Sequence, residues 1–244
     1  MSQLVFVLLI ALFGALVRTV VGFGEALVSM PLLALIGFDL PTATALIGAL
    51  GLIVALPATI RYHQQINFQV VRRLVTGSLL GVPLGILLVK TVPTGWVLHG
   101  LGLFLMANGG YGLWQAFHQH RRQPHFQHNG WDYVAGLIAG ALGSAYNSHG
   151  VPVALYGSFK QWPVSQLRGI LQAHFLCVGL LVVGSQIAAG FWNMTVVKLL
   201  LVLLPLLVLT IGAGNWLFAR LPREKLTHYL NGLFIIFGSL LLAR

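Results

Sequence analysis

The chain of 244 residues is 57% hydrophobic and only 7% charged, with a mean hydropathy of +0.88. A water-soluble domain carries far less apolar surface, so the composition indicates an all-α polytopic membrane protein, and the continuous apolar runs argue against a β-barrel. The 14 Lys and Arg residues outnumber the 4 Asp and Glu residues. The basic residues lie singly or in pairs between apolar runs. This pattern is typical of residues that set the orientation of membrane helices, and it argues against nucleic-acid binding.

Ten helical segments are predicted in chain order. They cover residues 4–21, 26–36, 42–60, 70–89, 96–117, 133–145, 151–159, 164–189, 196–219 and 226–242. The first lacks a charged start and a small-residue cleavage site, so we expect it to be retained as a helix. The fourth carries Gly77, Gly81 and Gly85, and small residues spaced by four allow close helix packing. The single cysteine, Cys177, excludes an internal disulfide and a CxxC site.

Two polar breaks interrupt the apolar sequence. Residues 22–31 read GFGEALVSMP and residues 143–152 read GSAYNSHGVP, 121 positions apart, and in both a Gly stands nine residues before a Pro. Within lipid, a backbone that leaves its helix must find partners in the protein or in a watery cavity. Paired breaks in two halves of a chain point to the binding site of a transporter.

The two halves of the chain resemble each other. The run 85–99 recurs as 214–228, with Gly, Pro and His at one offset of 129. The most polar stretch, HQHRRQPHFQHN, lies between the halves. We therefore predict a first membrane repeat at 1–117, a polar linker at 118–130 and a second repeat at 131–244. Each repeat has about five helical segments, including a broken or re-entrant hairpin.

The positions of the basic residues predict the topology. If each break lies within a single crossing, the basic residues divide about evenly between the two sides of the membrane. If each break forms a hairpin, eleven fall on one side and three on the other, as expected of a cytoplasmic face. An odd number of segments per half makes the repeats inverted. We expect a multi-pass protein of the inner (plasma) membrane, with a cytoplasmic linker and both termini outside.

Inverted hairpins enter from opposite faces, so their tips can meet near the middle of the membrane. The tip residues are Gly22, Gly24 and Glu25 in the first half, and Asn147, Ser148, His149 and Gly150 in the second. Each tip presents the N-terminus of a short helix, whose free N–H groups and partial positive charge favour an anion. The alternative is that these glycines and prolines only assist packing.

Charged and polar residues flank both tips. Arg18 can attract an anion, and Glu25 can hold Arg18 or relay protons; a structural ion pair, or an Arg18 side chain that reaches the interface, is equally consistent. Arg168 and Gln172 share a helix face near the second tip, and Arg168 suits either anion contact or anchoring at the interface. His174 is expected to be a packed, hydrogen-bonded histidine.

Other classes of function find less support in the sequence. His118, His120, His125 and His128 have no Cys or carboxylate beside them, so we expect a solvated linker with neither a metal site nor a cofactor. Walker, GxSxG and HExxH motifs do not occur in the chain. An intramembrane hydrolase using Ser148 and His149, a cation permease and a non-transporting assembly subunit remain as alternatives.

Several stretches resemble the sulfite exporter TauE/SafE family. They are GFGEALVSMPLLALIGFDLP at 22–41, RYHQQINFQVVRRLVTGSLLGVPLG at 61–85, GLIAGALGSAYNSHGVPVALYG at 136–157 and LRG at 167–169. Where that family often has Gly-Gly-Pro, this chain has Gly150-Val151-Pro152 preceded by His149. The resemblance implies secondary transport of small sulfur-containing organic or inorganic anions.

A mechanism follows as a hypothesis. The anion binds between the tips, and the two repeats rock about it to expose it to each side in turn. Export driven by the membrane potential is the main prediction, and proton-coupled uptake of the same anions is the alternative. The expected partners are the small anion and the lipid bilayer, with a possible homodimer and no nucleic acid.

Overall fold

The computed structural model describes residues 2–117, 128–218, 220 and 223–243. Within these residues the secondary structure is helical, and the predicted linker, with its His118, His120 and His125, lies largely outside them. The α-helices in order are α1 Ser2–Val21, α2 Glu25–Leu35, α3 Leu40–Arg61, α4 Phe68–Thr91, α5 Thr94–Phe117, α6 Gly130–Tyr146, α7 Gly150–Phe159, α8 Val164–Ala188, α9 Met194–Phe218 and α10 Arg223–Leu242.

The predicted all-α polytopic fold is confirmed. Every helix begins and ends within three residues of its predicted limits, because the breaks and polar turns mark the boundaries clearly. By length and composition, five helices of the described chain are apolar enough to cross a membrane, namely α1, α3, α4, α8 and α9. The short α2 and α7 follow the two breaks, as the sequence predicts. That the two halves are homologous stays a prediction.

Short polar side chains set the starts of three helices. Asp39 accepts a hydrogen bond from the backbone N–H of Thr42 at 2.9 Å, at the start of α3. Asn67 and Asn193 do the same for the third residue beyond them, at the starts of α4 and α9. Such caps satisfy backbone donors that a helix leaves without an intrahelical partner.

Each break folds the chain back on itself as a hairpin. In the first, Ser29 of α2 donates to the carbonyl oxygen of Ile10 in α1, at 3.3 Å. In the second, the Tyr156 hydroxyl near the end of α7 donates to Asp132 near the start of α6, at 2.5 Å. α2 and α7 therefore return along α1 and α6, so neither broken segment is a single crossing.

The two hairpins open at opposite ends of the helix bundle. α2 leads directly into the start of α3, where Asn193 donates to Thr42 at 2.8 Å. α7 leads into the start of α8, where Arg168 donates to Tyr62, just past the other end of α3, at 3.1 Å. The tips therefore point toward each other within the bundle.

Glycines bring α4 and α6 into close contact. Gly77, Gly81 and Gly85 of α4 lie against the backbone of α6, as predicted from their spacing, and Gly136 and Gly140 of α6 lie against α4. The backbones approach so closely that a methyl group at any of these positions would overlap a carbonyl or hydroxyl oxygen. Because α4 belongs to the first half and α6 to the second, this contact joins the halves.

Replacing Gly81 with Ala should destabilise the protein. A Cβ there overlaps the carbonyl oxygen of Leu137, and overpacking of this kind costs about 1–3 kcal/mol. The measurement is the midpoint of thermal unfolding in detergent. Gly212→Ala is the control, since Gly212 is an exposed helical residue with open space at its Cβ position. Equal midpoints for the two variants would contradict the close approach of α4 and α6.

Candidate functional site

A small cavity lies between the two tips, and we call it the central cavity. The first turns of α2 and α7 both line it, through Glu25 and Ala26 on one side and Gly150 and Val151 on the other. Two N-terminal helix ends therefore face one space, where their N–H groups and partial positive charges favour an anion. α3 contributes Gly48 and Gly51, and α8 contributes Phe175.

The backbone at both tips has a left-handed conformation. Gly22 and Gly24 have φ values of 100° and 98°, which glycine adopts without a steric penalty. Asn147 has φ 55°, and it ends α6 with backbone hydrogen bonds from Asn147 N to Gly143 O and from Ser148 N to Leu142 O. These two bonds are the usual way in which a left-handed residue satisfies the last carbonyls of a helix.

Arg18 and Glu25 form a buried ion pair beside the first tip. One guanidinium nitrogen, Nη1, lies 3.0 Å from Glu25 Oε2, and the Arg18 side chain is only 5% exposed. The interpretation that Arg18 reaches out to the membrane interface is therefore wrong. Arg18 Nε and Nη2 and Glu25 Oε1 have no hydrogen-bond partner within the described structure. Buried charged atoms without partners are costly, so they indicate a place for water or a polar ligand.

The Asn147 side chain ties the second tip to α3 and α8. Its amide nitrogen donates to the carbonyl oxygen of Thr44 at 2.6 Å, and Gln186 Nε2 donates to its Oδ1 at 3.5 Å. Gly48 makes room for both amides, because a Cβ there would lie 2.9 Å from Asn147 Oδ1 and 3.0 Å from Gln186 Oε1. Asn147 thus has a clear structural role at the rim of the cavity.

Phe175 contacts both a cationic and an imidazole group of the site. The Arg18 guanidinium carbon is 4.3 Å from the centre of the Phe175 ring. The same ring meets His149 in an edge-on arrangement, with 4.7 Å between ring centres. His174 lies next to His149, at 6.0 Å between ring centres. His174 is packed as predicted, although its Nδ1 has no partner within the described chain.

A second cavity adjoins the first, and we call it the arginine vestibule. It is lined by Arg18, Gly22, Arg61, Tyr62, Arg168, Gln172 and Asn215, with apolar residues of α3 and α9. Gln172 donates to the carbonyl oxygen of Gly22 at 3.0 Å, which holds the first tip against α8. Arg18 lines both cavities and so connects them.

All ten residues predicted for the site line one of these two cavities. That they bind a substrate stays a prediction. Gly48, Gly51, Arg61 and Phe175 also line these cavities, and they are not among the residues predicted from the sequence. The two glycines, one turn apart in the middle of α3, carry a signal that could have found them, whereas Phe175 is one of many apolar residues in α8.

Ser148 and His149 show no catalytic arrangement. The Ser148 hydroxyl donates to the carbonyl oxygen of Tyr146 at 3.2 Å, and the described hydrogen bonds do not join it to His149. A nucleophile needs a base within hydrogen-bond reach. Within the described residues, no three His, Cys, Asp or Glu side chains are grouped so that they could hold a metal ion.

Asn147→Ala should lower the stability more than Asn147→Gly. Both variants lose the hydrogen bond to Thr44, but only alanine is strained at a positive φ, which adds about 1 kcal/mol. Thermal midpoints of the two variants in detergent measure this difference. If alanine is tolerated as well as glycine, Asn147 does not hold a left-handed conformation.

Comparisons with known proteins bear on the identity of the chain. Neither the curated proteins nor the solved structures gave a match. Among protein families, the one described as "Sulfite exporter TauE/SafE" matches residues 7–241, nearly the whole chain. This is the resemblance that the two breaks and their flanking sequences predict. The chain belongs to the sulfite exporter TauE/SafE family, a family of membrane transporters.

Proposed function

We propose that the protein is a secondary transporter that exports small sulfur-containing anions of the sulfite and sulfonate class. The anion binds in the central cavity between the two tips, and alternating access exposes it to each side of the membrane in turn. The family supports transport of sulfur anions. The direction, the site and the mechanism are our proposal.

The observation that carries this proposal is the position of Arg18. Its Nε and Nη2 have hydrogens to donate and no partner within the described structure, and it lies where the two cavities meet. An oxyanion can accept from these donors while the first turns of α2 and α7 face it from two sides. Guanidinium suits the planar, multidentate recognition of oxyanions.

The Glu25 carboxylate keeps the empty site close to neutral. A lone buried cation would bind an anion strongly and release it slowly, whereas transport requires the ion to leave. In the vestibule, Arg61 and Arg168 add positive charge along the route to Arg18. A surface lined by one sign of charge raises the local concentration of the oppositely charged ion.

We place the vestibule on the cytoplasmic side. It lies at the end of the bundle where α3 finishes and α8 starts, which is the basic side predicted from charge counting. An interior-negative potential then drives anions outward, with about 2.3 kcal/mol per charge per 100 mV, or about fortyfold accumulation. The protein is then a multi-pass protein of the inner membrane with both termini outside.

Residues 1–117 and 131–244 form two inverted repeats in this proposal, with the linker 118–130 in the cytoplasm. The opposite orientation of the two hairpins supports the inversion. We also propose that the protein is a carrier and not an enzyme, because Ser148 lacks a base within the described contacts. The apolar side chains that face outward from the bundle can contact lipid or a second copy, so a homodimer stays a prediction.

Proteoliposomes containing the protein should transport one or more of the anions sulfite, thiosulfate and sulfoacetate. Efflux of an anion should rise when the inside is made negative and fall when it is made positive. Arg18→Gln combined with Glu25→Gln removes the ion pair without leaving a buried charge, so the variant should fold. It should reduce the flux by at least about tenfold, since charge-assisted hydrogen bonds contribute about 1.5–3 kcal/mol. Radiolabelled flux measures this.

Arg72→Gln is the matched control, because Arg72 is an exposed arginine that lines neither cavity. It should transport like the wild type. Flux that is equal in the double variant and the control would contradict a role for Arg18. No flux of any anion at either potential would contradict the proposed function.

The topology can be tested with single cysteines in a Cys177→Ser background. Gln64 lies just beyond α3 on the vestibule side, and Thr94 begins α5 at the opposite end of the bundle. Both positions are exposed. A membrane-impermeant maleimide should label Thr94→Cys in intact cells and Gln64→Cys only after permeabilisation. The reverse pattern would invert the proposed orientation.

A further inference from the structure

We propose that His149 and His174 form a proton-binding site that is coupled to the anion site, so that a proton travels with the anion. The inference rests on the proposed function and extends it. The two imidazoles lie side by side, 6.0 Å between ring centres, and both are buried, with His149 7% and His174 0% exposed. Neither Nδ1 has a hydrogen-bond partner within the described structure.

Ser78 indicates the tautomer of His174. The Ser78 hydroxyl lies 3.1 Å from His174 Nε2, 2.8 Å from the carbonyl oxygen of Gly136 and 3.0 Å from that of Leu74. The two carbonyls can only accept, so we assign the single hydroxyl proton to one of them. We therefore assign Nε2–H to His174, donating to Ser78 Oγ. The Nδ1 of His174 then carries a lone pair that can accept a proton.

The His149 ring reaches from this pair to the anion site. His149 lines the central cavity together with Arg18 and Glu25. Its ring has room because residue 143 is glycine: a Cβ there would lie 2.9 Å from His149 Cβ and 3.1 Å from Nδ1. The pair therefore joins the cavity to the interior between α4, α6 and α8.

The charges around the pair determine the sign of the coupling. Arg18 from α1 and Glu25 from α2 are the charged side chains of the central cavity, and together they are neutral. The cavity residues from α3 are not titratable, and Asp132 of α6 is engaged with Arg73 and Tyr156.

Without an anion, Arg18 lies close enough to His149 to disfavour a proton there, although Glu25 offsets part of its charge. An anion at Arg18 adds negative charge in a medium of low dielectric, and a proton on the nearby pair then compensates it. Anion and proton binding are therefore mutually favourable, and each strengthens the other by the same factor. A dianion that moves with one proton keeps one negative charge, so the membrane potential still drives it outward.

Two measurements on the full-length protein test the coupling. Adding thiosulfate, which stays a dianion near neutral pH, to purified protein in weakly buffered detergent should make the solution more alkaline, by about one proton per bound anion. In proteoliposomes at zero potential and equal pH on both sides, subsaturating flux should increase at least about fivefold from about pH 8 to about pH 6.

His174→Gln is the decisive variant, because His174 does not line the central cavity and glutamine can still donate to Ser78. It should keep the flux measured at about pH 8 and lose the increase at lower pH, because His174 Nδ1, which we assign as the proton acceptor of the pair, is gone. His63→Gln and His99→Gln are the controls, since His63 is exposed, His99 is half-buried, and both are bonded to nearby carbonyls. Both should keep the wild-type pH dependence.

The outcomes separate this inference from the proposed function. A protein that carries no anion overturns both. Flux that is equal at both pH values, with no proton uptake, overturns only the coupling. A pH dependence that survives in His174→Gln but is lost in Glu25→Gln assigns the proton to Glu25 and also overturns the inference.

The comparison changes if the His174→Gln variant does not purify or if sulfite is the one anion carried. If His174→Gln does not purify as a single species, the number of protons taken up by the wild type decides. If sulfite is the one anion carried, wild type and His174→Gln are compared at each pH, because titration of the free anion is common to both.

Discussion

Within a membrane, a helix can be interrupted only where the freed backbone groups find partners in the protein. Gln172 supplies one to the carbonyl of Gly22 in the first tip. At the second tip, Asn147 turns the backbone through a left-handed conformation and reaches α3 with its side chain. The remaining architecture follows from this requirement, since α3 and α8 must lie where they can hold both tips. Their contacts with the tips define the central cavity.

The two tips satisfy this requirement in different ways. Open space surrounds the Cβ position of Gly22, and a Cβ at Gly24 would make only ordinary van der Waals contacts, whereas Asn147 is held by hydrogen bonds to α3 and α8. The tightest packing joins α4 to α6 and thus joins the two halves. If this contact persists during transport, the units that move past each other would contain helices from both halves. The rocking of one repeat against the other stays a prediction.

The sequence predicts the helices well, because polar breaks and turn residues stand out in an apolar chain. It also predicts the tip residues and Arg18, since charges and glycines are rare or out of place in such helices. It does not predict Phe175, which differs from other apolar residues only in its neighbours. Nor does it predict that His174 faces His149, because that contact depends on how α8 is rotated against the second hairpin.

The glycine face of α4 has a consequence for how the protein is made. Gly77, Gly81 and Gly85 present bare backbone, and α6 is the helix that covers it. Because residues 130–146 follow α4 in the chain, α4 is synthesised before the helix that covers this face. The helices therefore cannot all pack in the order in which they are synthesised. The contact between α4 and α6 forms only after the second hairpin is present. A chain that ends after α5 leaves the glycine face of α4 without α6.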